Sequence, residues 1–195
     1  TATHLLQQAL RQVLGSHVEQ AGSYTDADHV RFDFTHFEAV KPEELERIEA
    51  IVNEEILKGE SVITEEMTIE EAKQRGAMAL FGEKYGSVVR VVQAGDFSIE
   101  LCGGTHLDNT AKAGVFKIVS ESSVAAGVRR IEAVVGKGLL KFLADGQRLI
   151  SKTAAALKTN PQDMLVRVGQ VMGDMQQMNK HMEQLSARIA KMQLK

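Results

Sequence analysis

Two stretches in the first third of the chain repeat apolar residues every three or four positions, which predicts amphipathic helices. The first covers residues 1–14, and the second begins at Pro42, a residue favoured in the first helical turn, and ends at Gly59. Thr68 and Glu71 have the spacing of a capping box, in which each side chain binds the other residue's backbone N–H. This spacing predicts a third helix that begins after Thr68.

Apolar and polar residues alternate elsewhere, which is the pattern of half-buried β-strands. Val30, Phe32 and Phe34 form one such run. Short β-branched runs, most of them bounded by glycines, predict further strands at residues 62–64, 87–93, 98–101, 114–120 and 129–135. Together these helices and strands predict an α+β domain over residues 1–137, built on an antiparallel sheet with packed helices.

Residues 138–195 contain no strand pattern and predict an all-α extension. We expect one helix over residues 139–157, a turn at Asn160 and Pro161, and a long helix to Lys195. An apolar heptad seam runs along the long helix and comprises Val168, Val171, Met175, Met178, Met182, Leu185, Ile189 and Met192. Such a seam is typical of a coiled coil or an antiparallel helical hairpin, and a packing role is favoured over a methionine-rich binding groove.

The charges separate the same two parts of the chain. The net charge of −3 over 195 residues argues by itself against a nucleic-acid partner. However, residues 141–195 hold nine Lys/Arg and four Asp/Glu, whereas the other residues hold 14 Lys/Arg and 22 Asp/Glu. The basic C-terminal part therefore leaves contact with a nucleic-acid backbone open.

The composition excludes several classes of protein. With 44% hydrophobic and 25% charged residues, it is ordinary for a soluble globular domain. No apolar run approaches the roughly 20 residues that span a bilayer, and no signal-peptide pattern opens the sequence. The single cysteine excludes an internal disulfide and favours a reducing, cytoplasmic location. No phosphate-binding glycine motif occurs, so we do not expect ATP to bind this chain.

Candidate chemistry centres on Cys102 and His106, which lie four residues apart at the end of a predicted strand. Two glycines between them allow a tight backbone turn, and thiolate and imidazole are both ligands of zinc. Two ligands do not make a site, and a lone cysteine is commonly a small buried hydrophobe, so both interpretations stay open. His4 is the third candidate, because metal-binding histidines often lie on a helix. The remaining histidines have weaker claims: His17, His29, His36 and His181.

Four stretches together resemble the editing region of bacterial alanyl-tRNA synthetases. They are Thr1-Ala2-Thr3-His4-Leu5-Leu6, Arg31-Phe32-Asp33-Phe34-Thr35-His36, Ser98-Ile99-Glu100-Leu101-Cys102-Gly103-Gly104-Thr105-His106 and Gly127-Val128-Arg129-Arg130-Ile131-Glu132. They occur in the family's order within residues 1–137. The helical extension is similar, less specifically, to the linker that follows this domain in the family. Free-standing alanyl-tRNA editing proteins and the editing domain of threonyl-tRNA synthetase share the metal motif.

The resemblance implies a zinc-dependent hydrolase that clears serine or glycine from mischarged tRNA(Ala). Such a synthetase needs an editing site besides the site that selects alanine, because a small pocket discriminates poorly between amino acids that differ by one hydroxyl. Position by position, the ligands would be His4, Cys102 and His106, while the first histidine of the family's motif would precede Thr1. The implied partners are the acceptor end of tRNA(Ala) and the rest of a synthetase chain, with no membrane or DNA. The heptad seam, and not the resemblance, leaves open a second copy bound through the C-terminal helices.

Further site residues follow from the resemblance and from their positions. Gln20 matches a polar pocket position and would bind the serine hydroxyl or a water, unless it is a solvated loop side chain. Glu100 would act as a general base or orient a ligand histidine, or it is merely structural. Thr3 and Thr105 flank ligands, so their hydroxyls would line the pocket.

Arg129 and Arg130 would contact phosphates of the tRNA acceptor end, or form a solvated pair at a sheet edge. Strand alternation places their side chains on opposite faces, so that only one of them need face RNA. The rival hypothesis for the whole chain is a non-catalytic module that binds tRNA or dimerises through its C-terminal helices. The metal ligands distinguish the two hypotheses, because the hydrolase needs them for activity and the non-catalytic module does not.

Overall fold

The computed structural model describes residues 1–78 and 86–193, so the predicted helix end at residues 194–195 lies outside the described residues. The chain forms two compact units, Thr1–Phe142 and Leu143–Lys195. The sequence predicts a boundary after residue 137, and the division between the units lies five residues later, inside a helix.

Over its described residues, the first unit has the predicted α+β class, with four α-helices, one 3-10 turn at Thr110–Ala113 and seven strands. In chain order the elements are α1 (Ala2–Leu14), β1 (Gln20–Thr25), β2 (His29–Thr35), α2 (Pro42–Lys58), β3 (Val62–Thr68), α3 (Ile69–Gln74), β4 (Val88–Ala94), β5 (Ser98–Leu101), β6 (Phe116–Ala125), β7 (Val128–Val135) and α4 (Gly136–Ala156). Helix α4 continues into the second unit, which also contains α5 (Met164–Gln193).

The strands form two antiparallel sheets, where the sequence predicts one. The first sheet has the order β1-β2-β7-β6, and the second has the order β3-β4-β5. Strand propensity is local, whereas the choice of pairing partner depends on contacts between distant residues, so the pattern alone does not reveal the division.

The main core lies between the first sheet and helices α1 and α2. The alternation along β2 directs Val30, Phe32 and Phe34 into this core, where all three are fully buried. Leu6 of α1 and Val52 of α2 pack in the same cluster. Helix α2 ends as predicted, because Gly59 adopts the left-handed φ of 67° that closes a helix.

The predicted capping box is confirmed at the start of α3. The backbone N of Glu71 donates to Thr68 Oγ1 at 3.2 Å, and the backbone N of Thr68 donates to Glu71 Oε2 at 2.9 Å. The preceding strand β3 is longer than predicted, because it runs through two exposed glutamates to the capping residue. Met67, next to the last residue of β3, is buried in the small apolar cluster of the second sheet.

Strand β1 is absent from the sequence prediction, which places Gln20 in a loop. Its six residues contain no large aliphatic side chain, and most of them are exposed. An edge strand of this composition has no hydrophobic alternation to reveal it. Backbone pairing with β2 forms the strand instead, so Gln20 lies in a sheet rather than in a loop.

The second unit contains the C-terminal part of α4, a turn and α5. The predicted start of the last helix at Pro161 is a single 3-10 turn, Pro161–Asp163, and the α-helix begins at Met164. Arg167 Nε donates to the carbonyl of Leu157 at 3.1 Å and ties the turn together. Seven of the eight seam residues are exposed, and Val171 is half-buried. None of the helices in the described ranges is long and apolar enough to cross a membrane.

Candidate functional site

The three predicted metal ligands come together from two distant parts of the chain. His4 lies in the first turn of α1, whereas Cys102 directly follows β5 and His106 lies four residues further along. Donor atoms of all three side chains lie within 4.8 Å of one another. His106 Nε2 is 3.3 Å from Cys102 Sγ. The structure therefore assembles a candidate metal group from residues more than 90 positions apart in the sequence.

Both histidine rings are also contacted by an oxygen. His4 Nε2 lies 3.4 Å from Glu100 Oε2, and His106 Nδ1 lies 3.3 Å from Thr1 Oγ1. The Thr1 hydroxyl oxygen accepts a hydrogen bond from the backbone N of Leu107 at 3.0 Å, which fixes its position. Oxygen partners of this kind orient metal-binding imidazoles. Thr1 is a site residue that the sequence analysis missed, because only the fold brings it beside His106.

Burial dominates the electrostatics of this group. It lowers the pKa of His4 to about 3 and the pKa of His106 to about 4, so both imidazoles are neutral near pH 7. It raises the pKa of Glu100 to about 7, against the opposing effect of a hydrogen bond from Ser98. Neutral imidazoles and a cysteine sulfur are the donors that zinc prefers, so the residues present fit a zinc ion.

The group opens onto a cavity of about 330 Å³. Every residue predicted to lie at the active site lines this cavity: Thr3, His4, Gln20, Glu100, Cys102, Thr105 and His106. Ser23 and Thr25 of β1 line it too, and the sequence analysis did not identify them. The cavity therefore combines a candidate metal group with hydroxyl and amide side chains from the edge strand.

A β-bulge directs Gln20 into this cavity. Simple alternation along β1 would place Gln20 on the opposite face of the sheet from Ser23. The pairing with β2 shifts between Gln20 and Gly22, so that Gln20 lies opposite Phe34 and Ser23 lies opposite Phe32. Gln20 Nε2 donates to Ser23 Oγ at 3.1 Å. The bulge thus brings both side chains to one face, which strand periodicity in the sequence does not predict.

Arg129 and Arg130 do not line the cavity, and each forms a bidentate ion pair. Arg129 donates from Nε and Nη2 to the two oxygens of Glu121 at 2.5 and 2.7 Å. Arg130 donates in the same way to Asp33 at 2.6 and 2.8 Å. These pairs connect β7 to its neighbours β6 and β2. They support the structural alternative for both arginines, and RNA contact by either one remains a prediction.

The Asp33–Arg130 pair should make the stability of the first unit depend on pH. The hydrogen bonds from Arg130 hold the pKa of the Asp33 carboxyl below its usual value. A lowered folded-state pKa stabilises the fold above the unfolded-state pKa, and this contribution is lost as the pH falls through the folded-state value. We expect Asp33→Asn to be less stable than the original chain at pH 7 and to approach it in acid. Urea unfolding over a pH series measures this.

Asp96→Asn is the matched control, because Asp96 is exposed in the turn between β4 and β5. The free energy of unfolding of Asp96→Asn should depend on pH in the same way as that of the original chain. If the free energy of unfolding of Asp33→Asn differed from that of the original chain by the same amount at every pH, a stabilising role for the ion pair would be contradicted.

Comparison with known proteins shows which sequences the chain is similar to. Residues 89–132 match the family described as "Threonyl and Alanyl tRNA synthetase second additional domain". The chain is 54% identical over 190 residues to the alanine--tRNA ligases of Bacillus cytotoxicus and Bacillus anthracis, covering 97% of this chain and 22% of each relative. It is 55% identical over 193 residues to that of Geobacillus thermodenitrificans, covering 99% of this chain and 22% of the relative.

The match over residues 89–132 assigns that segment to the second additional domain of threonyl- and alanyl-tRNA synthetases. More specifically, the chain corresponds to the editing region of bacterial alanyl-tRNA synthetases. The chain spans about a fifth of the length of the curated relatives that it matches.

Proposed function

We propose that this region is a zinc-dependent editing hydrolase that cleaves serine or glycine from mischarged tRNA(Ala), within a synthetase that attaches alanine to the same tRNA. The observation that carries the proposal is the convergence of His4, Cys102 and His106 on one polar cavity. A cytoplasmic location is part of this proposal, since tRNA charging takes place there and free thiols such as that of Cys102 persist in a reducing compartment.

His4, Cys102 and His106 are the residues that would hold the metal. When bound there, zinc supplies either a polarised substrate carbonyl or a water of lowered pKa. The burial that keeps both imidazoles neutral favours metal binding at neutral pH, because only the unprotonated ring is a ligand.

The edge strand supplies the groups that recognise the amino acid. Gln20, Ser23 and Thr25 present an amide and two hydroxyls to the cavity. Such groups form hydrogen bonds with the hydroxyl of a seryl ester, which an alanyl ester lacks. Ser23 and Thr25 are exposed on the cavity wall, so the preference comes from the additional hydrogen bond to the seryl hydroxyl and not from polar groups that an alanyl ester would leave unpaired. This arrangement favours removal of serine over removal of the correct alanine.

Glu100 orients His4 in this proposal. The Ser98 hydroxyl donates to Glu100 Oε1 at 2.9 Å, and the His4 ring contacts Oε2 at 3.4 Å. Because both carboxylate oxygens are engaged, the contacts favour the orienting role over that of a general base. Thr3 and Thr105 contribute to the wall of the same cavity.

The direct test is deacylation of tRNA(Ala) charged with serine, glycine or alanine. We expect the zinc-loaded chain to release serine faster than alanine because of the hydroxyl contacts, and to release glycine as the family resemblance implies, with both rates lost on chelation and restored by zinc. Equal slow release from all three esters, with or without zinc, would leave the non-catalytic hypothesis as the better one.

A specific observation also favours self-association through α5. Its apolar seam is exposed, and an antiparallel pairing of two copies covers all eight seam positions. This pairing places Asp174 of one copy opposite Arg188 of the other, whereas a parallel pairing places both charges opposite uncharged residues. The Asp174–Arg188 pair favours an antiparallel second copy as the partner of the seam, against the like charges of Arg167 and Lys195 that the same register brings together.

Substitution within the full chain tests this pairing. Leu185→Lys places a charge in the seam and should shift the chain from dimer to monomer in sedimentation velocity, because the charge would be buried between the copies. Gln184→Lys adds the same charge on the adjacent face and should leave the dimer intact. A monomer for the original chain at every concentration rules out the pairing.

A further inference from the structure

Arg90 of β4 holds the loop that carries two of the three proposed ligands. Its Nη1 donates to the carbonyl of Cys102 at 3.0 Å and also to the carbonyl of Gly104. Its own carbonyl accepts a hydrogen bond from the backbone N of Cys102 at 3.0 Å. One residue thus makes three hydrogen bonds to the backbone between Cys102 and His106.

Among the described residues, the other contacts of the first half of this loop are a hydrogen bond within the loop, from Gly104 N to Cys102 Sγ at 3.4 Å, and the packing of Cys102 against the main core. Gly103 and Gly104 leave the backbone free to adopt many conformations. A Cβ built on Gly103 would meet no atom within 4 Å, so open space surrounds it. The far end of the loop is fixed differently, by the hydrogen bond from Leu107 N to Thr1 Oγ1 at 3.0 Å. Arg90 is therefore the anchor at the Cys102 end.

We propose that Arg90 is a positioning residue of the metal centre, which holds the Cys102–Gly104 backbone in the conformation that brings Cys102 Sγ beside His106 Nε2. The inference rests on the proposed function, because it assumes that these side chains hold a metal. Cys102 Sγ lies 3.3 Å from His106 Nε2, and the hydrogen bonds from Arg90 fix the backbone that carries this thiol. A site that is already assembled loses less conformational entropy when a ligand binds.

The guanidinium group suits this role better than an ammonium group. Its planar donors point in fixed directions, and less rotamer freedom is lost for each hydrogen bond formed. A lysine at position 90 keeps the charge but lacks this fixed fork of donors. The comparison of lysine with alanine at this position therefore separates the effect of charge from the effect of hydrogen-bond geometry.

The test uses Co²⁺ as the probe, because a cobalt–thiolate bond gives a charge-transfer band that reports on Cys102 directly. Competition with a chromophoric chelator gives the affinity. For Arg90→Ala we expect a loss of about 10- to 100-fold, the range typical of groups that orient metal ligands, and a weaker charge-transfer band. Arg90→Lys should fall between Arg90→Ala and the original chain.

Arg75→Ala is the matched control, since it removes an exposed arginine that pairs with Glu65 in the same sheet region. It should bind Co²⁺ as the original chain does. Circular dichroism of the metal-free variants checks folding, and Arg90→Lys carries the test if Arg90→Ala does not fold.

Two outcomes would overturn the inference about Arg90. The first leaves the proposed function intact, whereas the second overturns the proposed function as well. In the first outcome, Arg90→Ala and Arg90→Lys bind Co²⁺ within twofold of the original chain, or Arg75→Ala loses as much Co²⁺ affinity as Arg90→Ala does. Arg90 is then not a positioning residue, and the proposed function is unaffected. If the original chain binds Co²⁺ no better than Cys102→Ala does, there is no metal centre, and both proposals fail.

Discussion

Replacing Cys102 by alanine is expected to abolish both zinc binding and the release of serine from tRNA(Ala). The substitution removes one donor of a three-residue group and leaves two imidazoles. Loss of an orienting group costs about 10- to 100-fold in metal affinity, so loss of a direct ligand should exceed about 100-fold. Zinc per chain by elemental analysis and the initial rate of deacylation measure the two effects. His106→Ala should behave in the same way.

His36→Ala is the matched control for the histidine variant. His36 pairs with the exposed His17 at 2.9 Å and does not line the cavity, so zinc content and rate should be unchanged. Full deacylation activity in Cys102→Ala would refute the metal-dependent mechanism. Full zinc content in Cys102→Ala would instead place the metal at other residues.

The second large effect concerns the core. Phe32→Ala should lower the free energy of unfolding by about 3 to 5 kcal/mol, because the side chain is fully buried between the first sheet and α1. Domains of this kind are stable by only about 5 to 15 kcal/mol, so the variant should be close to unfolding at 37 °C. Urea denaturation followed by circular dichroism measures the loss.

Phe37→Ala makes a matched comparison, since Phe37 is 89% exposed. Its stability should change by no more than about 0.5 kcal/mol, as expected for a surface substitution. If Phe32→Ala destabilised the fold as little as Phe37→Ala does, β2 could not direct its apolar face into the core as described.

Local signals in the sequence account for the elements that were predicted well. Pro42 and Gly59 mark the ends of α2 correctly because proline at a helix start and glycine at a helix end act through their own backbone geometry. The capping box at Thr68 was predicted for the same reason, since both partners lie within one helical turn. The predicted strand at residues 98–101 matches β5 because Ile99 and Leu101 alternate with polar residues and two glycines follow shortly after the strand.

The rest of the site depends on contacts between distant residues. Ser23 and Thr25 were missed because β1 has no hydrophobic alternation and is formed by pairing with β2. Thr1 was missed because it meets His106 only after α1 packs beside the end of β5. Arg90 was missed because a lone arginine in a strand pattern usually indicates a solvated face, and its partners are backbone carbonyls twelve and fourteen residues away.

The sequence by itself therefore determined the α+β class, most helix and strand positions, and the residue types of the candidate metal group, since each depends on periodicity or on side-chain chemistry. Only the tertiary structure decided that there are two sheets, that a bulge directs Gln20 into the cavity, and that Thr1 and Arg90 hold the loop of Cys102 and His106. The physical reason is that strand pairing and hydrogen bonds to backbone carbonyls are open to almost any residue. Such contacts leave little trace in the pattern of side chains, and only the folded chain selects among them.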